Sequence, residues 1–273
     1  MNKRTKSVAW WVLALLFTLS LAVYQRITGP TYPVRGSLEI NGSEVKYRLT
    51  RSSDSDKPAE IIIKEVGEGI TGQISYKRFK VDEPYQTAAF TRTDDRLTAY
   101  LPPEPAAGKL EYMVSLNDGE NTYEINEDPI VIRFKGPVPA YVLLPHIALM
   151  FLAMLFSTRT GIEALRKGEQ VKVYTGLTLI FFMIGGMLLG PIVQKFAFDA
   201  YWTGWPFGQD LTDNKTLVAF IAWIIAYLRI RKSTKNSWWA IVAAVVLLAV
   251  YLIPHSMFGS ELDYSTGQVT TGE

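Results

Sequence analysis

The chain contains no cysteine. Disulfide frameworks, thiolate nucleophiles, cysteine-held iron–sulfur clusters and covalent haem attachment through a C-x-x-C-H motif are therefore excluded. Histidine is nearly absent too, with His146 and His255 the only two in 273 residues. No Walker loop, HExxH or GxSxG occurs, so the common signatures of phosphoryl transfer, zinc proteolysis and nucleophile-elbow hydrolysis are missing. No nucleophile, base and oxyanion set is recognisable either, and a non-enzymatic protein is expected. A net charge of +2 supplies no basic footprint for nucleic acid or another polyanion.

The apolar residues that are present are gathered into separate runs rather than spread as in a water-soluble domain. Val8–Tyr24 follows three basic residues and is about the minimum length that spans a bilayer. It reads as an uncleaved signal anchor, with Ser20-Leu21-Ala22 leaving signal-peptide cleavage as the alternative. Further crossings are expected at Pro137–Phe156, Val173–Val193, a helix from near Thr212 to Arg229 and Arg231, and Trp238–Ile253. No Asp, Glu, Lys or Arg falls at the centre of these runs, which argues against a proton pump, a voltage sensor or an ion-coupled carrier.

Basic residues set the expected orientation. Lys3, Arg4 and Lys6 precede the first run; Arg159, Arg166, Lys167 and Lys172 separate the second from the third; Arg229, Arg231, Lys232 and Lys235 separate the fourth from the fifth. Five crossings place all three clusters on the cytoplasmic side of a bacterial inner membrane, N-terminus included. The segments expected outside are 29–136, the loop 194–215 and the tail 259–273. Residues 1–28 are then the anchor and 137–258 a four-helix membrane domain. An outer domain without disulfides fits a bacterial envelope.

Residues 29–136 alternate in steps of two. Asn41-Gly42 between Gly36–Ile40 and Ser43–Thr50 predicts a type I′ hairpin. Further strands are expected at Ala59–Val66, Gly72–Phe79, Thr87–Thr93, Arg96–Leu101, Leu110–Leu116, Tyr123–Ile125 and Pro129–Phe134. Gly72-Gln-Ile-Ser-Tyr-Lys-Arg-Phe79, Tyr100-Leu-Pro-Pro-Glu-Pro105 and Gly108-Lys-Leu-Glu-Tyr-Met-Val-Ser-Leu-Asn-Asp-Gly119 resemble bacterial immunoglobulin-like or fibronectin-III-like modules. The resemblance covers about residues 30–136 and implies an all-β sandwich between the first and second crossings, used for binding, spacing or assembly. The expected fold class is thus mixed: a polytopic α-helical membrane protein carrying an extracytoplasmic β-sandwich.

Candidate site residues are few. His146 and His255 fall at comparable depth near the outer face and suit b-type haem, copper or zinc. Equally, His146 beside Pro145 answers to a freed backbone carbonyl, and His255 after Pro254 marks a helix end. In the loop, Trp202 and Trp205 belong to an interfacial aromatic belt, while Asp210 and Asp213 suit the start of the fourth helix. Gly186 and Gly190 form a GxxxG pair for close helix packing inside the protein. The expected function is a membrane subunit that contacts lipid and docks a protein partner through its sandwich, with no cofactor. A redox or metal protein on the two histidines is the alternative.

Overall fold

Asn41 and Gly42 both take positive φ, 51° and 74°. The strands they join, β1 (Val34–Ile40) and β2 (Ser43–Leu49), pair in the register that this turn dictates. The structure, a computed structural model, describes residues 3–254 and 259–271. His255 lies outside the described residues.

The next strands are β3 (Ser52–Asp54), β4 (Ala59–Lys64), β5 (Thr71–Arg78), β6 (Gln86–Ala89) and β7 (Thr91–Thr93). They are followed by β8 (Arg96–Leu101), β9 (Lys109–Asn117), β10 (Thr122–Glu124) and β11 (Ile130–Lys135). Two sheets result, ordered β1-β2-β4-β8-β7 and β3-β11-β9-β5-β6, with β10 added beside β9. They close over one core. Ile61, Ile63, Leu97, Leu101, Leu110, Tyr112, Val114 and Leu116 are each no more than 2% exposed. The alternation that made these strands legible is the alternation that buries them.

Thr87–Thr93, expected as one strand, is two. Phe90 carries the chain from one sheet to the other, its N–H donating to the Gly72 carbonyl at 2.9 Å. Its ring lies where a Cβ on Gly72 would stand 2.9 Å away, so glycine makes room for the corner.

Five helices are long and apolar enough to cross a membrane. They are α1 (Lys3–Thr28), α2 (Ala140–Leu165), a third built from α3 (Val171–Phe182), a π-helical turn (Met183–Leu189) and α4 (Gly190–Phe198), then α5 (Leu211–Lys232) and α6 (Trp238–Leu252). At most 33% of the apolar window of any of them is buried inside the chain. Their outward faces carry Leu16, Val23, Leu144, Ile180, Leu188 and Val218. Inside, Trp223 is fully buried among Phe182, Phe220 and small residues, Ala153, Ala219, Ala240 and Ala243, that let α2, α5 and α6 approach closely.

Two expectations are corrected here. β structure is not confined to the interval between the first two crossings: the tail folds as a hairpin, β12 (Ser260–Leu262) and β13 (Val269–Thr271), docked on the β domain. Further, α2 continues nine residues past Phe156 to Leu165, so Arg159 is not a loop residue. It is 2% exposed inside the bundle, donating from Nη1 to Glu163 Oε2 at 2.6 Å. The Trp11 and Tyr174 rings lie 5.5 and 5.0 Å from its guanidinium. Charge is therefore present within a membrane-length helix, as an i,i+4 pair that neutralises itself.

Candidate functional site

The polar groups of the bundle end nearest the β domain form one connected junction. It starts where β11 enters α2. Gly136 N–H donates to the Ala197 carbonyl at 2.8 Å, and a Cβ on Gly136 would run into the Phe196 carbonyl oxygen. Three residues earlier, Arg133 is buried with its guanidinium 4.2 Å from the Phe198 ring centre, and it donates to the Ser260 carbonyl. Burial pushes this guanidinium down to about 10, with Asp210 and Glu261 pulling it back up, so it is cationic at neutral pH. The Ser260 hydroxyl in turn donates to Asp210 Oδ2 at 3.3 Å.

Asp210 is the N-cap of α5, its Oδ1 accepting from the amides of Thr212 at 2.8 Å and Asp213 at 3.3 Å. Lys215, one turn on, reaches the carbonyls of Ile253 at 2.8 Å and Pro254 at 3.4 Å. A cation there satisfies the free acceptors at the C-terminal end of α6 and opposes its dipole.

The tail closes the junction from the side. Leu262 N–H donates to the Ala107 carbonyl at 3.0 Å, and the Tyr264 hydroxyl bonds both N–H and C=O of Lys109 at 3.0 Å. Glu261 pairs with Lys109 and, at 3.1 Å, with Lys80. Burial pushes the Glu261 carboxyl up, but the hydrogen bonds and charges of the two lysines outweigh it and hold it below its usual 4.5. A depressed carboxylate stabilises the fold above its ordinary range and loses that contribution as pH falls through the folded value. Amide exchange of residues 260–264, corrected for intrinsic rate, is expected to accelerate below about pH 4. The step should vanish in Glu261→Gln; a step that survives this change would assign it elsewhere.

The loop between α4 and α5 is organised by Asp213. Its Oδ2 accepts from the backbone amides of Thr203 at 2.7 Å and Gly204 at 3.0 Å, and from Gln194 Nε2 at 3.1 Å. The Trp202 indole donates to the Trp205 carbonyl at 3.1 Å, and Trp205 N–H to Asn214 Oδ1 at 2.6 Å. A Cβ on Gly204 would sit 2.6 Å from Asp213 Cβ. Asp213→Ala should cost about 2–4 kcal/mol, because it strands several donors that the buried carboxyl group satisfies. Thermal unfolding of the purified protein reads this, and a change under about 0.5 kcal/mol would mean the loop holds itself without the carboxylate.

His146 lies against the π-helical turn. Its Nδ1 is 2.9 Å from the Gly185 carbonyl, which also accepts the Gly190 amide. A carbonyl only accepts, so Nδ1 carries a proton, and in the neutral ring Nε2 holds the lone pair. Gly185 and Gly186 sit against α2 and Phe182: a Cβ would meet Leu149 Cβ at 2.9 Å from Gly185 and the Phe182 ring at 2.7 Å from Gly186. Gly190 is the looser partner of the expected pair, its nearest neighbour being the Gly185 carbonyl at 3.8 Å. Among the described residues no group of three or more His, Asp or Glu could hold a metal ion.

One concavity, of about 480 Å³, lies on the outer face of the second sheet. Its walls are the side chains of Thr71, Gln73, Thr87, Ser115, Asn117 and Thr122 over a floor of Gly72, Ala88 and Ala89.

Neither known protein families nor curated proteins give a match to this chain. What the fold defines is a two-sheet β domain locked to an apolar five-helix bundle. Reasoning from sequence places Asp210 and Asp213 in the outer loop at the start of the fourth helix, and misses the junction roles of Arg133, Lys215, Ser260 and Glu261. Arg133 had a signal: a cation in a strand of apolar residues, Ile130-Val-Ile-Arg-Phe134, at a position that alternation turns away from the core.

Proposed function

We propose that the protein is a non-enzymatic integral membrane subunit whose β domain docks or scaffolds a partner protein. The five helices cross the bacterial cytoplasmic membrane, with the basic helix ends in the cytoplasm and the β domain and tail outside. The apolar outward faces of the bundle support lipid contact. Tyr201, Trp205 and Phe207, 60%, 69% and 84% exposed, suit an interfacial belt at the outer surface. An immunoglobulin-like or fibronectin-III-like reading of the two sheets fits this use.

The observation that carries the proposal is the junction. Gly136 on Ala197 and Arg133 on Phe198 fix the domain to the bundle directly, while Arg133 on Ser260 and Glu261 on two lysines fix it to the tail, which reaches Asp210 through the Ser260 hydroxyl. A partner held by the domain is then held at a fixed orientation over the lipid surface. Crosslinking in native membranes, followed by pull-down in mild detergent, should retain a stoichiometric protein partner. A chain that stays alone under both conditions would overturn the reading.

A second reading has one observation in its favour. The Gly185 carbonyl fixes the tautomer of His146 and leaves Nε2 as a coordinating atom, as the second-shell partner of a metal-bound imidazole does. With His255 it would make a b-type haem or transition-metal site. Protein purified from its native host decides this: a Soret band or stoichiometric metal supports it, and the absence of both ends it.

A further inference from the structure

We infer that the groove on the second sheet binds an uncharged oligosaccharide. Lys109, at the junction, and Asn117, in the groove wall, are the two ends of β9, about 27 Å apart at ~3.4 Å per residue. The groove is therefore at the tip of the domain, turned away from the bundle, where only a ligand from outside the membrane meets it.

The chemistry of the walls selects the ligand. Six side chains around the groove carry hydroxyls or amides, and none of the lining residues ionises. On this face Glu124 of β10, the register partner of Ser115, borders the groove, and the Lys77–Glu111 pair, 3.5 Å apart, lies on the junction half of β5 and β9. Gln73, Thr87 and Ser115 have no side-chain hydrogen-bond partner among the described residues. An anionic ligand finds no cation in the lining and meets the Glu124 carboxylate at its edge, and an apolar one leaves these groups unpaired at a cost of about 1–3 kcal/mol each where they are desolvated. A protein segment would bring anchors of the aromatic or arginine kind, for which the lining residues offer neither a ring nor a carboxylate.

A sugar hydroxyl donates and accepts, as do Ser, Thr and Gln side chains. Gly72, Ala88 and Ala89 leave a floor low enough for the C–H face of a pyranose. Without an aromatic platform, a single short chain is expected to bind at about millimolar Kd. Several copies of the protein on one polymer tighten binding by avidity.

The test uses the full chain in nanodiscs, titrated with maltotetraose, cellotetraose and chitotetraose as neutral probes and tetragalacturonate as the anionic control, read by saturation-transfer NMR. At least one neutral probe should give saturable transfer, weakened tenfold or more in Gln73→Ala/Ser115→Ala with an unchanged unfolding temperature, and tetragalacturonate should give none. No transfer from any neutral probe overturns the inference. So does equal binding by the double variant, or a photocrosslinker at Gln73 that captures a protein uncompeted by sugar. The inference goes beyond partner docking, and partner pull-down with the double variant reports on docking alone.

Discussion

Glu163→Leu is expected to cost the bundle about 3–5 kcal/mol, because it leaves the Arg159 cation buried without its counter-ion. Arg159 is 2% exposed and its Nε already lacks a partner among the described residues. Its charge then has only the faces of Trp11 and Tyr174, at 5.5 and 5.0 Å, to replace a carboxylate at 2.6 Å. Two aromatic faces return about 1–2 kcal/mol each when desolvated, so they do not compensate. The double variant Arg159→Met/Glu163→Leu removes both charges and should recover most of the loss, since a buried pair barely repays its own desolvation. Unfolding of single and double variants in one detergent measures the difference. Equal stability of the two would show that the cost lies in packing around α2 and not in an unpaired charge.

Arg133→Met is expected to unfasten the tail, with a loss of about 2–4 kcal/mol. Methionine keeps much of the volume against Phe198 but has no donor for the Ser260 carbonyl and no charge facing Asp210 and Glu261. Lysine should restore little, because the flat guanidinium both stacks on a ring and donates sideways, and an ammonium cannot do both. Protease cleavage between 259 and 271 in the intact protein should rise in step with the lost stability. A tail that stays protected in Arg133→Met would assign the docking to Leu262, Tyr264 and the Glu261 pairs alone.

How much of this was legible depended on the range of each interaction. Asn41-Gly42 is a two-residue signal, and the hairpin follows it. β9 announces itself by strict alternation, and Asp210 by standing just before an apolar helix. The Arg133–Ser260 bond joins residues 127 apart, and no local period carries such a pairing. β12 and β13 have three residues each, too short for any pattern. Arg159 and Glu163 hid for another reason. Their i,i+4 spacing was visible, but a charge at the end of an apolar run reads as the start of a loop until its neutralising partner is placed on the same helix.

The groove was hidden in plain view. Gln73, Ser115 and Thr87 sit at the solvent-facing positions of ordinary strands, where polar residues are expected. Their lack of charge, the pairing of Gln73 with Ser115 and the diagonal placing of Thr87 become visible only when β5, β6 and β9 are laid together.

The attachment of β11 has a mechanical consequence. The strand runs into α2 while Gly136 is tied to Ala197 of α4, so the domain is rooted in two helices with no free hinge between. A lateral pull at its tip acts on a lever arm of about 27 Å. The torque is delivered to α2 and α4 together, and in the third crossing it bears on the π-helical turn that His146 braces at the Gly185 carbonyl.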